Sequence, residues 1–320
     1  MKVLELFGGI GACTAALKRM GEDVQVIDYV EIDKYAVASY NAINSTNFEP
    51  QDICKWDKDV EVDLIMHGSP CQDFSVAGKQ AGGDEGSGTR SSLLYESVRI
   101  IEKLRPKYVI WENVKNLLSA KHRHNFDNYI EYMNGLGYVS YYQVLNAKDY
   151  GIPQNRERVF TISILGDEQF EFPKNPITRL PFYFSELRLK DLLDDEVEEK
   201  YYLSDEIAKK YVPNDKETNS NVCGNLVMDV WQDHMKRVYD IEKYAPTINT
   251  FQGGNLEPKI LLENGRIRKL TPKECWRLMG FDDEDFEKAS KVCSNSQLYK
   301  QAGNSIVVNV LVEIFRKLLN

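Results

Sequence analysis

Short β-rich runs alternate with amphipathic helical patterns through the first half of the chain, and that alternation admits few architectures. Strand-like runs fall at 3–7, 24–30, 63–67, 108–111, 138–145 and 159–164, and helical patterns at 12–20, 34–41, 93–104 and 126–136. Strands that take turns with helices predict a parallel, doubly wound α/β sheet. The last two strands are joined by a polar loop with no helical pattern, so they are expected as an antiparallel pair at the sheet edge. After about residue 170 the character changes. FEFPKNPITRLPFYF is proline-punctuated and aromatic, and periodicity stays weak to about 265. Helical spacing returns at the end, where Val307, Leu311, Ile314, Phe315 and Leu318 share one face. The expected division is a first domain over 1–172, completed by 290–320, and a smaller one over 173–289.

Composition narrows the function classes. With 320 residues, 42% hydrophobic and 28% charged, the chain reads as globular with a sizeable core. A net charge of −9 argues against coating nucleic acid by charge alone, though not against an enzyme with a basic cleft. The acidic block DDEVEE at 194–199 reads as a solvated helix face. MKVLELFGG lacks the features of a signal peptide, and no apolar stretch is long enough to span a membrane. The six cysteines form no CxxC pair and the four histidines no zinc pattern, so no metal is expected. Scattered cysteines without a secretion signal suit the reducing cytoplasm.

The first strand runs into Gly8-Gly9-Ile10-Gly11-Ala12 and a helix, a place where backbone can approach a ligand closely. Glu31 ends the second strand, 20 residues beyond Gly11, and can accept hydrogen bonds from ribose hydroxyls. Thr14 stands where a dinucleotide fingerprint has its third glycine, which weakens that particular reading. Asp52 follows where a third strand is expected to end. It can contact an adenine amino group or merely cap a helix.

The strand DLIMHG leads into Gly68-Ser69-Pro70-Cys71-Gln72-Asp73-Phe74-Ser75, which puts Cys71 at the carboxyl end of a central strand. Open α/β sheets bind ligands at that end. A buried structural cysteine is the usual alternative, but the polar, glycine-rich loop from Gln72 to Arg90 argues for access and for motion. The next strand ends in Glu112-Asn113-Val114, and Gln154-Asn155-Arg156-Glu157-Arg158 brings two arginines before the last strand. Either arginine alone could be a surface ion pair. A thiolate, a carboxyl and guanidinium groups at one rim suit one chemistry. Carbon 5 of cytosine is a poor nucleophile until a thiolate adds to carbon 6, an acid on ring nitrogen 3 helps that addition, and arginine can hold the carbonyl oxygen.

These motifs, in this order, resemble the carbon-5 cytosine-specific DNA methyltransferases of bacterial and phage modification systems. FGGIGA, GSPCQDFS, ENV and QNRER are joined by RKLTPKEC at 268–275 and QAGNS at 301–305. The resemblance covers nearly the whole chain apart from about 90 residues of the second domain. It implies a Rossmann-like methyltransferase fold with a mixed, mostly parallel sheet and a target-recognition domain, with S-adenosylmethionine as cofactor. Phe7, Glu31, Ile32, Asp52 and Ile53 would hold its nucleoside, the backbone around Gly9 and Gly11 with Asn304 would bracket its methionine part, and Pro70 and Ser305 would belong to the same cofactor site. Cys71 would be the nucleophile and Glu112 the acid, with Arg156 and Arg158 supporting loop and base. A cytosine inside duplex DNA would have to be flipped out. Gln72 and Arg90 would lie on the DNA side, and base reading would fall in loops around 231–239, where Arg237 would read guanine or simply hold phosphate, and 247–255, with Thr247, Gln252, Gly253 and Gly254. The bland alternative for 247–255 is a strand and turn that only support the fold. Ile32 stands where some relatives have Trp, and Ala77 where a polar residue is expected. A monomer is expected, and a cognate restriction endonuclease is compatible with the family.

Three other readings compete. A tRNA cytosine methyltransferase would carry a Cys-Phe-Thr signature, which is absent. A catalytically silent DNA-binding relative would lose Pro-Cys or Glu-Asn, and both are intact. A nicotinamide oxidoreductase leaves Pro70-Cys71 unexplained.

Overall fold

The computed structural model describes residues 1–70, 93–174, 187–214, 220–229, 233–250 and 256–319. By contacts the chain divides into two units. The first holds Met1–Asn146, Glu157–Lys174 and Val310–Asn320, the second Ala147–Arg156 and Asn175–Asn309.

In the first unit the apolar N-terminal run becomes β1 (Lys2–Leu6), followed by α1 (Ala12–Arg19), β2 (Gln25–Val30) and α2 (Lys34–Asn44). Asp33 starts α2 by accepting a hydrogen bond from Tyr35 N. Then come β3 (Leu64–His67), α3 (Leu94–Leu104), β4 (Tyr108–Val114), α4 (Arg123–Gly135), β5 (Tyr138–Asn146) and β6 (Glu157–Leu165). Among the described residues these strands form one sheet in the order β2-β1-β3-β4-β6-β5. The pairs β2–β1, β1–β3 and β3–β4 are parallel, while β6 runs antiparallel to both β4 and β5. The edge pair is therefore where a connection without an α-helix places it, the link holding only a 3-10 turn at Ala147–Tyr150. Every residue of β3 is buried, as a strand covered by helices on both faces requires. Leu4, Leu6, Ile65, Val109 and Trp111 carry the core against Ile100, Ile101, Phe126 and Tyr129. Strand order reverses at β1, which opens a crevice between the carboxyl ends of β1 and β3.

The second unit contains α5 (Asp205–Ala208) and the short strands β7 (Tyr211–Pro213), β8 (Val222–Leu226), β9 (Arg237–Asp240), β10 (Lys259–Leu261) and β11 (Ile267–Lys269). They lie in the order β11-β10-β9-β8-β7, with only β9–β10 parallel. Strands this short give no period to read, so the sequence does not announce them. α6 (Pro272–Arg277), α7 (Asp283–Ser290) and α8 (Asn295–Asn304) follow. α6 starts with Pro272 and a capping box between Thr271 and Glu274. Glu274 is fully buried and binds Arg268 through two hydrogen bonds of 2.7 and 2.8 Å. α9 (Val308–Leu318) closes the chain. Its expected face, Val307, Leu311, Ile314, Phe315 and Leu318, is buried, and from Val310 onward it counts with the first unit.

Two expectations need correction. No strand ends at Asp52, which instead caps a 3-10 turn, Ile53–Lys55. The acidic block is not a helix face either. Residues 194–198 are irregular, and Asp194 pairs with Arg277, Glu198 with Lys200 and Glu199 with Arg266. Cations drawn from elsewhere in the unit neutralise a run of like charges that helical spacing would crowd together.

Candidate functional site

The sheet's carboxyl edge in the first unit gathers the expected nucleoside ligands. Phe7 leaves β1 with φ 54°, and Gly9 and Gly11 follow at φ 55° and 83°. Such angles suit glycine and are rare for phenylalanine. A Cβ on Gly9 would meet nothing within 4 Å, so backbone there lies open to a ligand. Glu31, at the end of β2, accepts hydrogen bonds from Asp33 N at 2.8 Å and Gly9 N at 3.2 Å. Burial pushes its carboxyl up from the usual range. An ionised carboxylate offers about four lone-pair sites, so two amide partners leave capacity for ribose hydroxyls. Ile32 beside it is 69% exposed, an apolar side chain in position to cover a flat ring.

The segment with Asp52 and Ile53 is held by a residue the sequence reading passes over. Buried Asp28 accepts from Gln51 Nε2 at 2.8 Å, Trp56 Nε1 at 2.7 Å and Lys58 Nζ at 2.6 Å. Burial opposes its charge, but those bonds outweigh it and hold the carboxyl below its usual range. One Asp52 oxygen accepts from Cys54 N at 3.1 Å, so the capping role is real. The Ile53 side chain is 5% exposed and belongs to the core, which leaves only its backbone for an adenine edge.

At the reacting end, Cys71, Gln72, Ala77, Arg90 and the loop between them lie outside the described residues. The approach to Cys71 is described. Ser69 is 4% exposed, its Oγ accepts from Trp111 Nε1 at 3.1 Å, and its carbonyl accepts from Asn113 Nδ2 at 3.3 Å. Thus β4 supplies Glu112 and also fixes the exit of β3, with half-buried Pro70 next in the chain. That anchoring by Trp111 and Asn113 was not read from the sequence. An amide directly beside the acid in ENV was the available signal.

The two arginines of QNRER part company. In the β4–β6 register Val114 faces Arg158, which puts Arg158 on the same face as Glu112, two residues along. Its Nε lies 3.2 Å from Glu112 Oε1, with both side chains largely buried. Arg156 is 4% exposed and belongs to the second unit. Its guanidinium donates to Ile248 O at 2.8 Å, Gly303 O at 3.1 Å and Ser305 O at 2.8 Å. The sequence reading gives Arg156 a supporting part beside the catalytic residues, and in the structure carbonyls of its own unit accept from its guanidinium. Gln154 works beside it, donating to Leu278 O at 2.6 Å and accepting from Ile248 N at 2.9 Å.

Elsewhere in the second unit Asn304 is exposed and Ser305 buried. The expected loop at 231–239 is partly strand: Arg237 opens β9 and is exposed, whereas Val238 and Tyr239 are buried. The Thr247 hydroxyl donates to Asn155 O at 2.7 Å, so it is already engaged with the fold. Residues 230–232, with Trp231, and 251–255, with Gln252, Gly253 and Gly254, lie outside the described residues.

Comparison with known proteins fits this geometry. A family profile for "C-5 cytosine-specific DNA methylase" matches residues 1–320. The chain is 41% identical to "Type II methyltransferase M2.ScrFI" of Lactococcus lactis subsp. cremoris, over 81% of this chain and 67% of that one. It is 34% identical to "Orphan methyltransferase M.SPBetaI" of Bacillus phage SPbeta (100% and 98%). It is 35% identical to "Type II methyltransferase M.HhaI" of Haemophilus parahaemolyticus (97% and 92%). Among solved structures, the Dnmt2 methyltransferase of S. pombe superposes with a TM-score of 0.75 at 18% identity, covering 100% of this chain and 98% of that one, a likeness of fold. The fold is thus the Rossmann-like one of S-adenosylmethionine-dependent methyltransferases, and the chain belongs to the C-5 cytosine-specific DNA methylases, enzymes that methylate cytosine in DNA with that cofactor as donor.

Proposed function

We propose that this enzyme methylates a flipped-out cytosine in duplex DNA through a covalent adduct on Cys71, with Glu112 as the acid and Arg158 as its partner. One observation carries the reading: Glu112 and Arg158 are paired on one face of β4–β6, while the same β4 anchors the strand exit that leads to Cys71. S-adenosylmethionine, when bound, supplies an electrophilic methyl group. The Cys71 thiolate adds to carbon 6 of the base, which makes carbon 5 nucleophilic; once carbon 5 carries the methyl group, loss of its proton to water and expulsion of the Cys71 thiolate restore the 5,6 double bond and free the enzyme. Glu112 meets ring nitrogen 3 and supports that addition. Arg158 keeps the Glu112 carboxyl in place. Phe7, Glu31, Ile32, Asp52 and the Ile53 backbone bind the nucleoside, while Gly9, Gly11, Pro70, Asn304 and Ser305 serve the methionine part. Arg156 orders the segments that carry Ile248 and Ser305.

Target recognition belongs, in this reading, to the region 173–289, with 1–172 and 290–320 as the catalytic part. We assign DNA contact to Arg237, Thr247, Gln252, Gly253 and Gly254 there, and to Gln72 and Arg90 downstream of Cys71 in sequence. We read the enzyme as a cytoplasmic monomer, bacterial or phage-encoded, that can accompany a cognate restriction endonuclease. Two of the relatives are named as type II methyltransferases, and a third as an orphan.

The test is transfer of labelled methyl groups to duplex DNA and to tRNA, with parent and Cys71→Ser proteins. Label in DNA from the parent alone, with a trapped adduct on DNA that carries 5-fluorocytosine, supports the reading. Label confined to tRNA transfers the activity to that substrate. DNA binding without label marks a silent relative. Normal turnover by Cys71→Ser removes the adduct mechanism.

A further inference from the structure

The glycine turn after β1 rests on two stacked tyrosines. Tyr29 of β2 and Tyr40 of α2 are both fully buried, with ring centroids 3.9 Å apart and planes 23° from parallel. Phe48 packs against both rings. The Tyr29 hydroxyl donates to Gly9 O, and Gly9 N donates to Glu31 Oε2 at 3.2 Å. Tyr29 lies in β2 and Glu31 directly follows it, and both reach the same glycine. Between them they hold its carbonyl and its amide.

The three glycines are glycine for different reasons. A Cβ on Gly8 would lie 2.6 Å from the Tyr29 ring, and one on Gly11 would lie 2.6 Å from the Tyr40 ring. Those two make room for tyrosine. Only Gly9 faces open space. Beneath them, the Tyr40 hydroxyl lies 3.2 Å from Thr14 Oγ1 and donates to buried Glu5 at 3.4 Å, and Thr14 also donates to Glu5. Burial pushes both phenols well above their usual range, so each remains a protonated donor.

We propose that Tyr29 is a positioning residue for the cofactor: its hydroxyl sets the Gly9 peptide and its ring sets Gly8, and cofactor affinity depends on both. The inference rests on the reading that this turn and Glu31 bind S-adenosylmethionine. Tyr29→Phe keeps the ring and removes one hydrogen bond. It is expected to raise the cofactor KM and Kd roughly 2- to 10-fold, the scale of one net hydrogen bond, with kcat and the KM for DNA unchanged. Gly8→Ala is expected to weaken cofactor binding more in the parent than in a Tyr29→Val background, because the ring it collides with is gone. Glu31→Ala separates the two claims. If Glu31→Ala leaves cofactor affinity intact, the reading of the turn fails. If Glu31→Ala weakens binding while Tyr29→Phe lowers only the melting temperature, the Tyr29 proposal alone is overturned. Equal effects of Gly8→Ala in both backgrounds overturn it as well.

Discussion

Glu5 is a carboxyl sealed in the middle of β1, 1% exposed, and its replacement by Gln tests how the floor of the glycine turn is built. Burial raises its pKa from 4.5 to about 7, partly offset by the hydrogen bonds from Thr14 and Tyr40. The folded state therefore holds this proton more tightly than the unfolded chain. Its contribution to stability is complete below pH 4.5 and is lost as pH rises through about 7. At about 1.4 kcal/mol per pH unit, that interval corresponds to a loss of roughly 3 kcal/mol. Glu5→Gln keeps the shape, still accepts from Thr14, and does not ionise. Urea denaturation followed by far-UV circular dichroism, from pH 5 to 8, is the assay. The variant is expected to lie within about 1 kcal/mol of the parent at pH 5 and to exceed it by ~3 kcal/mol at pH 8. Taking the difference between the two proteins removes the opposite trend from Asp28 and other carboxyls. Parallel pH curves would refute the reasoning, because they would mean that Glu5 releases its proton without cost in the fold.

Glu112→Gln is expected to slow single-turnover methylation by ~10²–10⁴-fold, the usual worth of a general acid, with duplex affinity little changed by filter binding; a full-speed variant would dismiss Glu112. In the second unit, Glu274→Ala strands Arg268 without its buried partner, and a loss of about 3–5 kcal/mol in urea unfolding is expected; a loss below 1 kcal/mol would mean that water reaches the pair.

What the sequence discloses depends on how local the cause is. The six strands of the first unit have a hydrophobic period set by burial, and 108–111 differs from the observed β4 only because ENV continues the strand to Val114. The placement of Glu31 and Glu112 at the sheet's carboxyl edge was legible because each directly follows or ends an apolar run. Thr14 was legible only as a missing glycine. Its positive role, a hydroxyl on Glu5, is a contact between a strand and a helix that no periodicity encodes. The division of labour between Arg156 and Arg158 was hidden for the same reason. Their partners are carbonyls at 248, 303 and 305 in one case and a carboxylate at 112 in the other. β7–β11 escaped because strands of three to five residues show too little alternation to be told from loop.

The placement of Ala147–Arg156 with the second unit bears on how specificity could be transplanted. A chimera that exchanges only 175–309 with a relative would leave Gln154 and Arg156 behind as foreign parts. Their bonds to Ile248, Leu278, Gly303 and Ser305 would then depend on the incoming backbone matching to within a fraction of an ångström. A graft that carries 147–156 along with it keeps that set of contacts native, and its two extra seams fall at the ends of β5 and β6. The motif QNRER thus contains its own cut site, between the arginine that would travel and the arginine that would stay with Glu112.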